Sequence, residues 1–446
     1  MDNWERWEIH ARRVRTLFLE TNPVVISPIV YLRIRDLGDN PLLPGLKAVY
    51  IPDNIPKDSF SVIFLVSGAS LDVVELNHSA ISAKNFYIPF MSSLASKSPK
   101  LAHLALRGTG NISLEPVYCL ANLQRLEIRL TGTYLYPQTI RRLGDLVNLL
   151  DLTLDVGASI PAPGIDQRLP ISFPSKSRNS GNLRRLHIIG IPSSITRVLD
   201  DINIASLTTL VIDEAIDTSR SQTESFWKRC FIQLSVCQAI EEIEINQLKT
   251  RSWGHDHYSL STSWFSSIFN LNNLKSLVIN GSALSGSDED FRLLAYAFPK
   301  LEKLVIPPAH YSQGRTLACL FHFSRHCPNL SEIKICLGSD IHKNLDAIKM
   351  LPQPISVNQR HPLKKLYIKS QFDEMQSFSE IQPVHLLQIA QFLDLLFPHL
   401  SVLEAYDSSS SQTKNSNWLA IQQISSALAA TRINALQYLR ATSESN

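Results

Sequence analysis

The stretch that decides the fold is residues 299–306, PKLEKLVI, in which Leu301, Leu304 and Ile306 are apolar and the positions between them are polar or mixed. Leu304 and Ile306 are two residues apart, so in a strand they point to the same face. Leu301 lies three positions before Leu304, on the turn that enters the strand. The same L-x-x-L-x-L spacing returns along the whole chain. The pattern therefore predicts a repeat protein whose interior is filled by these apolar side chains.

Fifteen copies of this spacing follow one another. Val14 begins the first and Leu400 the last, 386 residues later across fourteen steps, which gives about 28 residues per copy. Leucine-rich repeats have about 20–29 residues. The copies begin at Val14, Ile29, Leu46, Leu71, Leu101, Leu123, Leu149, Leu183, Leu207, Ile240, Leu274, Leu301, Leu330, Leu363 and Leu400. One copy cannot bury its own apolar face, whereas a stack can.

Helical patterns separate many of the copies. Residues 287–298, SDEDFRLLAYAF, begin with a capping-type serine and acidic residues, and residues 383–397 begin with a proline at a plausible first helical position. Cys327-Pro328 and Phe298-Pro299 then mark the turn into the next strand, because proline cannot continue a helix. We predict an α/β leucine-rich-repeat solenoid of the horseshoe type, with about 15–16 irregular repeats. Parallel strands would line its concave face, and helices and loops its convex face.

Three polar stretches interrupt the rhythm of this predicted single domain, residues 1–446. Residues 157–181 and 251–262 are interpreted as inserted loops, and residues 407–416 as a polar loop. Residues 417–440 are expected to form a terminal helix and then a strand. The helix is indicated by Trp418, Ile421, Ile424 and Leu428, and the strand by residues 433–439.

The composition is that of an ordinary globular chain, with 44% hydrophobic and 19% charged residues. A net charge of +3 is too balanced for a protein that binds nucleic acid through its overall field. No apolar run is long enough to span a bilayer, and no signal peptide is visible at the N-terminus. The six cysteines contain no C-x-x-C pair and no disulfide framework. We therefore expect a cytoplasmic or nuclear protein without a nucleic-acid or membrane partner.

Catalytic signatures are not found in the sequence. It has no phosphate-binding loop, no dinucleotide fingerprint and no G-x-S-x-G motif. His255-x-His257 resembles part of a metal site, but zinc needs more ligands than two. We expect no catalytic residue, no cofactor and no metal. An enzymatic or metal-binding protein that uses His255 and His257 is the alternative from another functional class.

The alternate strand positions are better candidates for function, because they point away from the interior. Interface hot spots are enriched in arginine and tyrosine. The candidate partner-binding residues are Tyr31, Arg33, Arg35, Arg107, Arg125, Glu127, Arg129, Arg185, His187, Glu242, Glu244, Lys303, Lys365, Tyr367 and Lys369; Asp151, Thr153, Asp155, Glu332 and Lys334 occupy the same kind of position. Arg107, Arg125 and Arg129 are the first candidates, since they fall on neighbouring strands.

Three segments carry a resemblance to a known family. Residues 4–17 read W-x-R-W-x-x-x-A-R-R-V-R-x-L, residues 42–49 read LLPGLKAV, and residues 327–335 give a C-P-x-L-x-x-I-x-I unit after a helix. The chain resembles the leucine-rich-repeat region of fungal F-box proteins, a family expanded in mushroom-forming fungi. The resemblance covers roughly residues 4–440 as a pattern, and its most specific part is the N-terminal segment.

This resemblance implies a non-enzymatic protein-interaction scaffold that recognises substrates for an F-box-type ubiquitin ligase. No L-P-x-E-[IL] helix opens the sequence, so we expect the chain to begin after the place of the F-box. A Skp-type adaptor and a cullin are then partners only if an F-box stands upstream. The alternative is a standalone interaction protein with no ligase link. In both cases the partner is an unidentified protein on the concave face.

Overall fold

The computed structural model describes residues 3–19, 42–53, 55, 68–110, 112–131, 135–157, 181–215, 220–248, 259–280, 283–306, 315–337, 341–351, 361–370, 382–406 and 416–443. The chain divides into two compact units, Met1–Thr218 and Ser219–Asn446. Each unit is described by itself.

The described part of the first unit contains eight strands that pair in chain order, all of them parallel. They are β1 (Thr16–Phe18), β2 (Ala48–Ile51), β3 (Val73–Leu76), β4 (His103–Thr109), β5 (Arg125–Thr131), β6 (Asp151–Gly157), β7 (Arg185–Gly190) and β8 (Thr209–Ala215). The helices are α1 (Asn3–Ala11), α2 (His78–Ser82), α3 (Lys84–Lys97), α4 (Pro137–Gly144) and α5 (Pro192–Asp201), with a 3₁₀ turn at Glu115–Cys119.

The second unit has the same construction. Six of its described strands pair in parallel in the order β9, β11, β13, β14, β15 and β16, and β10 pairs separately with β12. They are β9 (Glu242–Leu248), β10 (Ser259–Ser261), β11 (Ser276–Asn280), β12 (Ala283–Ser285), β13 (Lys303–Val305), β14 (Glu332–Leu337), β15 (Lys365–Ser370) and β16 (Val402–Tyr406). The helices are α6 (Arg220–Leu234), α7 (Asp288–Ala297), α8 (Ala318–His326), α9 (Ile341–Lys349), α10 (Pro383–Leu396) and α11 (Ser416–Ser443), with a 3₁₀ helix at Thr262–Ile268.

The repeat spacing predicts the strands correctly. Every copy that falls within the described residues coincides with one of the parallel repeat strands named above, while the copy that begins at Ile29 lies outside the described residues. Leu301, Leu304 and Ile306 are each 0% exposed. Because burial of a leucine side chain contributes about 1.5–3 kcal/mol, the stacked copies supply the core. An α/β architecture of consecutive parallel strands is therefore confirmed, and the horseshoe curvature stays a prediction.

An asparagine before the first leucine of several copies ties each turn to the turn before it. The Asn122 side-chain amide donates to the carbonyl of Pro99, that of Asn148 to Ala121 and that of Asn182 to Val147, at 2.7–3.0 Å. Asn273 repeats the contact in the second unit by donating to Gln238. The N-L dipeptide thus satisfies carbonyl groups at the turns that lead into the strands.

The helix signals of the second unit are confirmed. Ser287 caps α7 in a reciprocal capping box with Asp290, and Pro383 occupies the start of α10. The buried faces of these elements carry aromatic rings. Phe291 and Phe323 meet edge to face on α7 and α8, with their ring centroids 6.2 Å apart.

The predicted last strand, residues 433–439 within the terminal segment 417–440, is wrong. Helix α11 runs without interruption through this segment and packs against α10 and β16. The sequence there, INALQYL, contains no glycine or proline and is rich in helix-forming alanine, leucine and glutamine. The helical part of the prediction is correct, with Trp418 and Ile421 buried.

The predicted insertion at residues 251–262 is too long at its end. Residues 259–262 belong to β10 and to the start of the 3₁₀ helix, because Leu260 and Phe265 are apolar and 0% exposed. Residues 251–258 lie outside the described residues, as do residues 158–180 and 407–415 of the other two predicted loops.

Candidate functional site

Alternate residues along the strands of each unit lie on the side of the sheet opposite the leucine core, and we call these two surfaces the polar faces. The polar face of the first unit consists of Glu75, His103, Ala105, Arg107, Arg125, Glu127, Arg129, Asp151, Thr153, Asp155, Arg185, His187, Ile189, Val211 and Asp213. Leu104, Leu126 and Leu152, which alternate with these residues, are 0% exposed. The alternation places the charged side chains on one side of the sheet and the core on the other.

Arg107 is the centre of the polar face of the first unit. Its Nε and Nη2 donate to the two carboxylate oxygens of Glu127 at 2.8 and 2.9 Å, and its Nη1 donates to Glu75 Oε2 at 2.7 Å. The contact with Glu127 is therefore bidentate, the geometry in which arginine binds a carboxylate most strongly. These contacts link strands β3, β4 and β5.

The other two arginines of the predicted cluster lie beside Arg107 and are also bonded. Arg129 Nε lies 2.8 Å from Glu127 Oε1, and the Arg125 guanidinium donates to Asp151 through Nε and Nη2. The structure thus brings the three predicted arginines together on two adjacent strands. Each of them already contacts a carboxylate of its own unit.

These contacts shift the acidity of the groups that make them. The hydrogen bond to Glu127 raises the pKa of Arg107, and the same bond lowers the pKa of Glu127. Burial, followed by the charge of Arg125, lowers the pKa of His103 on the same face. The two shifts favour the charged forms of Arg107 and Glu127, and the lowered pKa of His103 favours its neutral form.

A second pair lies further along this face. His187 Nε2 is 2.8 Å from Asp213 Oδ2, and both side chains are less than one-fifth exposed. The neighbouring candidate Arg185 is exposed. The predicted residues Arg185 and His187 therefore lie on the same strand, β7, but the His187 side chain is paired and mostly buried whereas the Arg185 side chain is exposed.

The positively charged residues on the polar face of the second unit are lysines, whereas those of the first unit are arginines. This face consists of Glu242, Glu244, Asn246, Ser276, Val278, Asn280, Lys303, Val305, Glu332, Lys334, Cys336, Lys365, Tyr367, Val402 and Glu404. Lys303, Lys334 and Lys365 are exposed. Lys365 Nζ is 3.9 Å from Glu332 Oε2, at the outer limit of an ion pair.

The two predicted acidic residues Glu242 and Glu244 occupy β9, at one end of this face. Lys303, Lys365 and Tyr367 lie on β13 and β15 toward the other end. The β9 end of the face therefore carries glutamates, whereas lysines lie beside Glu332 and Glu404 from β13 to β16.

Several residues of the polar faces were missed by sequence reasoning. Glu75 and Asp213 hold Arg107 and His187, and the signal for each was its alternation with apolar residues in VVEL and in TLVIDEA. Val305 and Cys336 occupy polar-face positions but are buried, at 7% and 0% exposure. Alternation predicts on which side of the sheet a side chain lies. It does not predict whether that side chain is covered by neighbouring segments.

Other predicted residues lie outside the described part of the chain. Tyr31, Arg33 and Arg35 are among them, as are His255 and His257. Lys369 pairs through its backbone with Cys336, and its side chain is not among those described. These predictions remain predictions.

The described residues offer little for catalysis. They contain no group of three or more histidine, cysteine, aspartate or glutamate side chains that could hold a metal ion. Five of the six cysteines are buried, and burial raises the pKa of the Cys237 and Cys327 thiols to about 12. These two buried thiols are therefore protonated at neutral pH and unsuited to nucleophilic attack. Among the described helices, none combines the length and the apolar character that a membrane crossing requires.

Comparison with known proteins gives structural likenesses only. No protein-family model and no curated protein matches the chain. It is similar to a chain of the Rad7–Elc1 complex of yeast, with 14% identity over 92% of this chain and 93% of that one, at a TM-score of 0.37. It is also similar to internalin C2 of Listeria monocytogenes, with 16% identity over 50% of this chain and 74% of that one, at a TM-score of 0.27. Both TM-scores are below 0.5, so the fold assignment rests on the strand register and burial.

Proposed function

We propose that the chain is a non-enzymatic scaffold that binds a protein through its polar faces. The observation that carries this proposal is the register of the parallel strands, which sets charged side chains side by side over a fully buried core. A rigid, broad and polar surface of this kind suits the recognition of another macromolecule. The proposal includes the horseshoe curvature, which would make these faces concave and widen the contact with a partner.

A site-specific photo-crosslinker tests the proposal. It would be placed at Arg185 on the first polar face and at Lys334 on the second, with control positions at Lys97 on α3 and Arg229 on α6, all of them exposed. In extract of the source cells we expect adducts of discrete mass from the polar-face positions and none from the helix positions. Identical adducts from the helix positions, or none from either polar face, would contradict the proposal.

The narrower form of this function is recognition of substrates for an F-box-type ubiquitin ligase, in the cytoplasm or nucleus. It is supported by the resemblance of residues 4–17 and 42–49 to the repeat region of fungal F-box proteins. Reading the gene upstream of the codon for Met1 tests it first, since an in-frame F-box is expected. Purification of the extended chain should then recover a Skp-type adaptor and a cullin. Failure to recover them with the extended chain would leave a standalone scaffold.

A further inference from the structure

A buried histidine ties two consecutive turns of the second unit. In four repeats, the asparagine directly before the first leucine donates its side-chain amide to the turn before it. In the repeat that begins at Leu363 this position is Pro362, whose side chain has no donor. His361 makes the contact instead, with its Nε2 3.0 Å from the carbonyl oxygen of Cys327. We call this contact the histidine tie, and in it a titratable ring replaces an amide that does not titrate.

The hydrogen bonds of His361 fix which ring nitrogen carries the hydrogen. The backbone N–H of Leu363 donates to Nδ1, with 3.3 Å between the two nitrogens. A backbone N–H can only donate, so Nδ1 accepts and Nε2 carries the hydrogen that is donated to Cys327. Protonation of the ring would set a second N–H, on Nδ1, against that of Leu363. The charged ring therefore cannot keep both contacts.

The surroundings of His361 are apolar and closed to solvent. The residue is 1% exposed, and its ring packs edge to face on Phe397 at the end of α10, with 5.1 Å between the ring centroids. Leu363, at the entry to β15, and Phe323, on α8, also contact the ring through their backbones and are each 0% exposed. A charge on the ring would therefore lose its hydration.

Among the described residues, no charged side chain faces the ring to offset that loss. Cys327, at the end of α8, is the titratable residue that contacts it. The Cys327 thiol donates to the carbonyls of Ala295 and Phe298, and burial raises its pKa to about 12, so it is uncharged. Burial lowers the pKa of His361, and its hydrogen bonds to the backbone of Cys327 and Phe323 offset only part of this effect. The folded repeat thus favours the neutral ring.

We propose that the histidine tie is an acid-sensitive joint, which holds β15 and α10 on β14 and α8 at neutral pH and releases them when His361 is protonated. The opened segment binds a proton more readily than the folded one. Opening should therefore become more favourable by up to about tenfold for each pH unit below 6.5, the usual value for histidine, until the folded ring is itself protonated. Since β15 presents Lys365 and Tyr367, its release would also take apart this part of the polar face.

Hydrogen–deuterium exchange of the full chain tests the joint. It is measured by mass spectrometry at about pH 7 and about pH 5 and corrected for the intrinsic pH dependence of amide exchange. Strand β15 reports on the histidine tie, and β11, which follows the asparagine tie of Asn273, is the internal control. The variant His361→Gln keeps a side-chain donor and does not titrate. The matched control is His399→Gln, at an exposed position two residues after Phe397.

Acidification should increase the opening of β15 in the wild-type chain at least about threefold and leave that of β11 unchanged. The His361→Gln variant should show no increase at β15, and the His399→Gln variant should respond like the wild type. An acid response of the His361→Gln variant as large as that of the wild type would overturn the inference, as would a wild-type β15 that does not respond.

Nuclear magnetic resonance of the wild-type chain with labelled histidine decides the matter even if the His361→Gln variant does not fold. The ring of His361 should be neutral at about pH 7, with its hydrogen on Nε2, and should become protonated as β15 loses its protection. A hydrogen on Nδ1, or a ring that is charged at pH 7, would overturn the inference. The double variant His361→Ser/Pro362→Asn installs the asparagine tie, so exchange at β15 should no longer depend on acidity.

Discussion

The two polar faces are formed by equivalent strand positions of the same repeat, but their charged side chains differ in how closely they contact one another. In the first unit Arg107 makes three hydrogen bonds to Glu75 and Glu127, all between 2.7 and 2.9 Å. In the second unit Lys365 approaches its carboxylate, Glu332, only to 3.9 Å. The contrast follows from the side chains, because a guanidinium fork matches a carboxylate whereas an ammonium group is a hydrated point charge on a flexible stem.

The difference separates two roles that a charged strand face can have. The arginine network of the first unit is occupied by its own carboxylates, so it fixes neighbouring strands to one another. In the second unit Lys303 and Lys365 are exposed, and Lys365 reaches Glu332 only at 3.9 Å, so these two ammonium groups fix the strands to one another less tightly. A cluster of charged residues in a sequence does not by itself tell these roles apart.

The largest expected effect is a loss of stability on substitution of the buried leucines, which both units contain. Leu126 in the first unit and Leu304 in the second are both 0% exposed. Leu126→Asp and Leu304→Asp should each lower the free energy of unfolding by more than about 4 kcal/mol, because an unpaired carboxylate would be buried. Lys303→Asp, at the adjacent exposed position, should change it by less than about 0.5 kcal/mol. Urea unfolding measures all three, and equal losses for Leu304→Asp and Lys303→Asp would refute the assignment of the two faces.

A smaller effect should distinguish the two polar faces. Arg107→Gln leaves the carboxylates of Glu75 and Glu127 short of donors and should lower the free energy of unfolding by about 1–2 kcal/mol. Lys303→Gln removes an exposed charge and should cost less than about 0.5 kcal/mol. Urea unfolding at low and at high salt measures both. Equal costs would show that Arg107 stabilises its unit no more than the exposed Lys303 does.

The smallest effect is a pH dependence located in the first polar face. Burial lowers the pKa of His103 below its usual value of 6.5. The unfolded chain therefore binds more protons than the folded chain just below pH 6.5, and stability should fall as the pH decreases from 7 through that window. The His103→Gln chain should lose less stability than the wild type over the same interval in thermal melts. An identical pH dependence in the two chains would show that His103 does not contribute to the pH dependence of stability.

The repeat spacing alone predicts the strands, their parallel order and the buried leucines, because all of these follow from one three-residue pattern. It also places Arg107, Arg125 and Arg129 on adjacent strands, where the structure has them. The pairing of these arginines could not be predicted, since Glu75 and Asp151 lie 32 and 26 residues away from their partners. Which carboxylate reaches which arginine depends on the register between repeats of unequal length.

The secondary structure of residues 433–439 also could not be predicted from the repeat pattern. Residues 433–439 contain apolar residues at spacings that fit either a short strand or a helix, and the continuous helix α11 is favoured by its packing on α10. Arg432, which pairs with Asp394 and donates to the carbonyl of Pro398, anchors the helix there. These contacts join residues more than thirty positions apart, which no local pattern reports.

A pair of double-mutant cycles tests the contrast between the two faces most directly. One cycle combines Arg107→Gln with Glu127→Gln, and the other combines Lys365→Gln with Glu332→Gln, with the free energy of unfolding measured for every variant. We predict a coupling energy of about 1 kcal/mol or more for the first pair and less than about 0.3 kcal/mol for the second. Coupling energies of equal size would contradict the account, since both faces would then be engaged to the same extent within their own units.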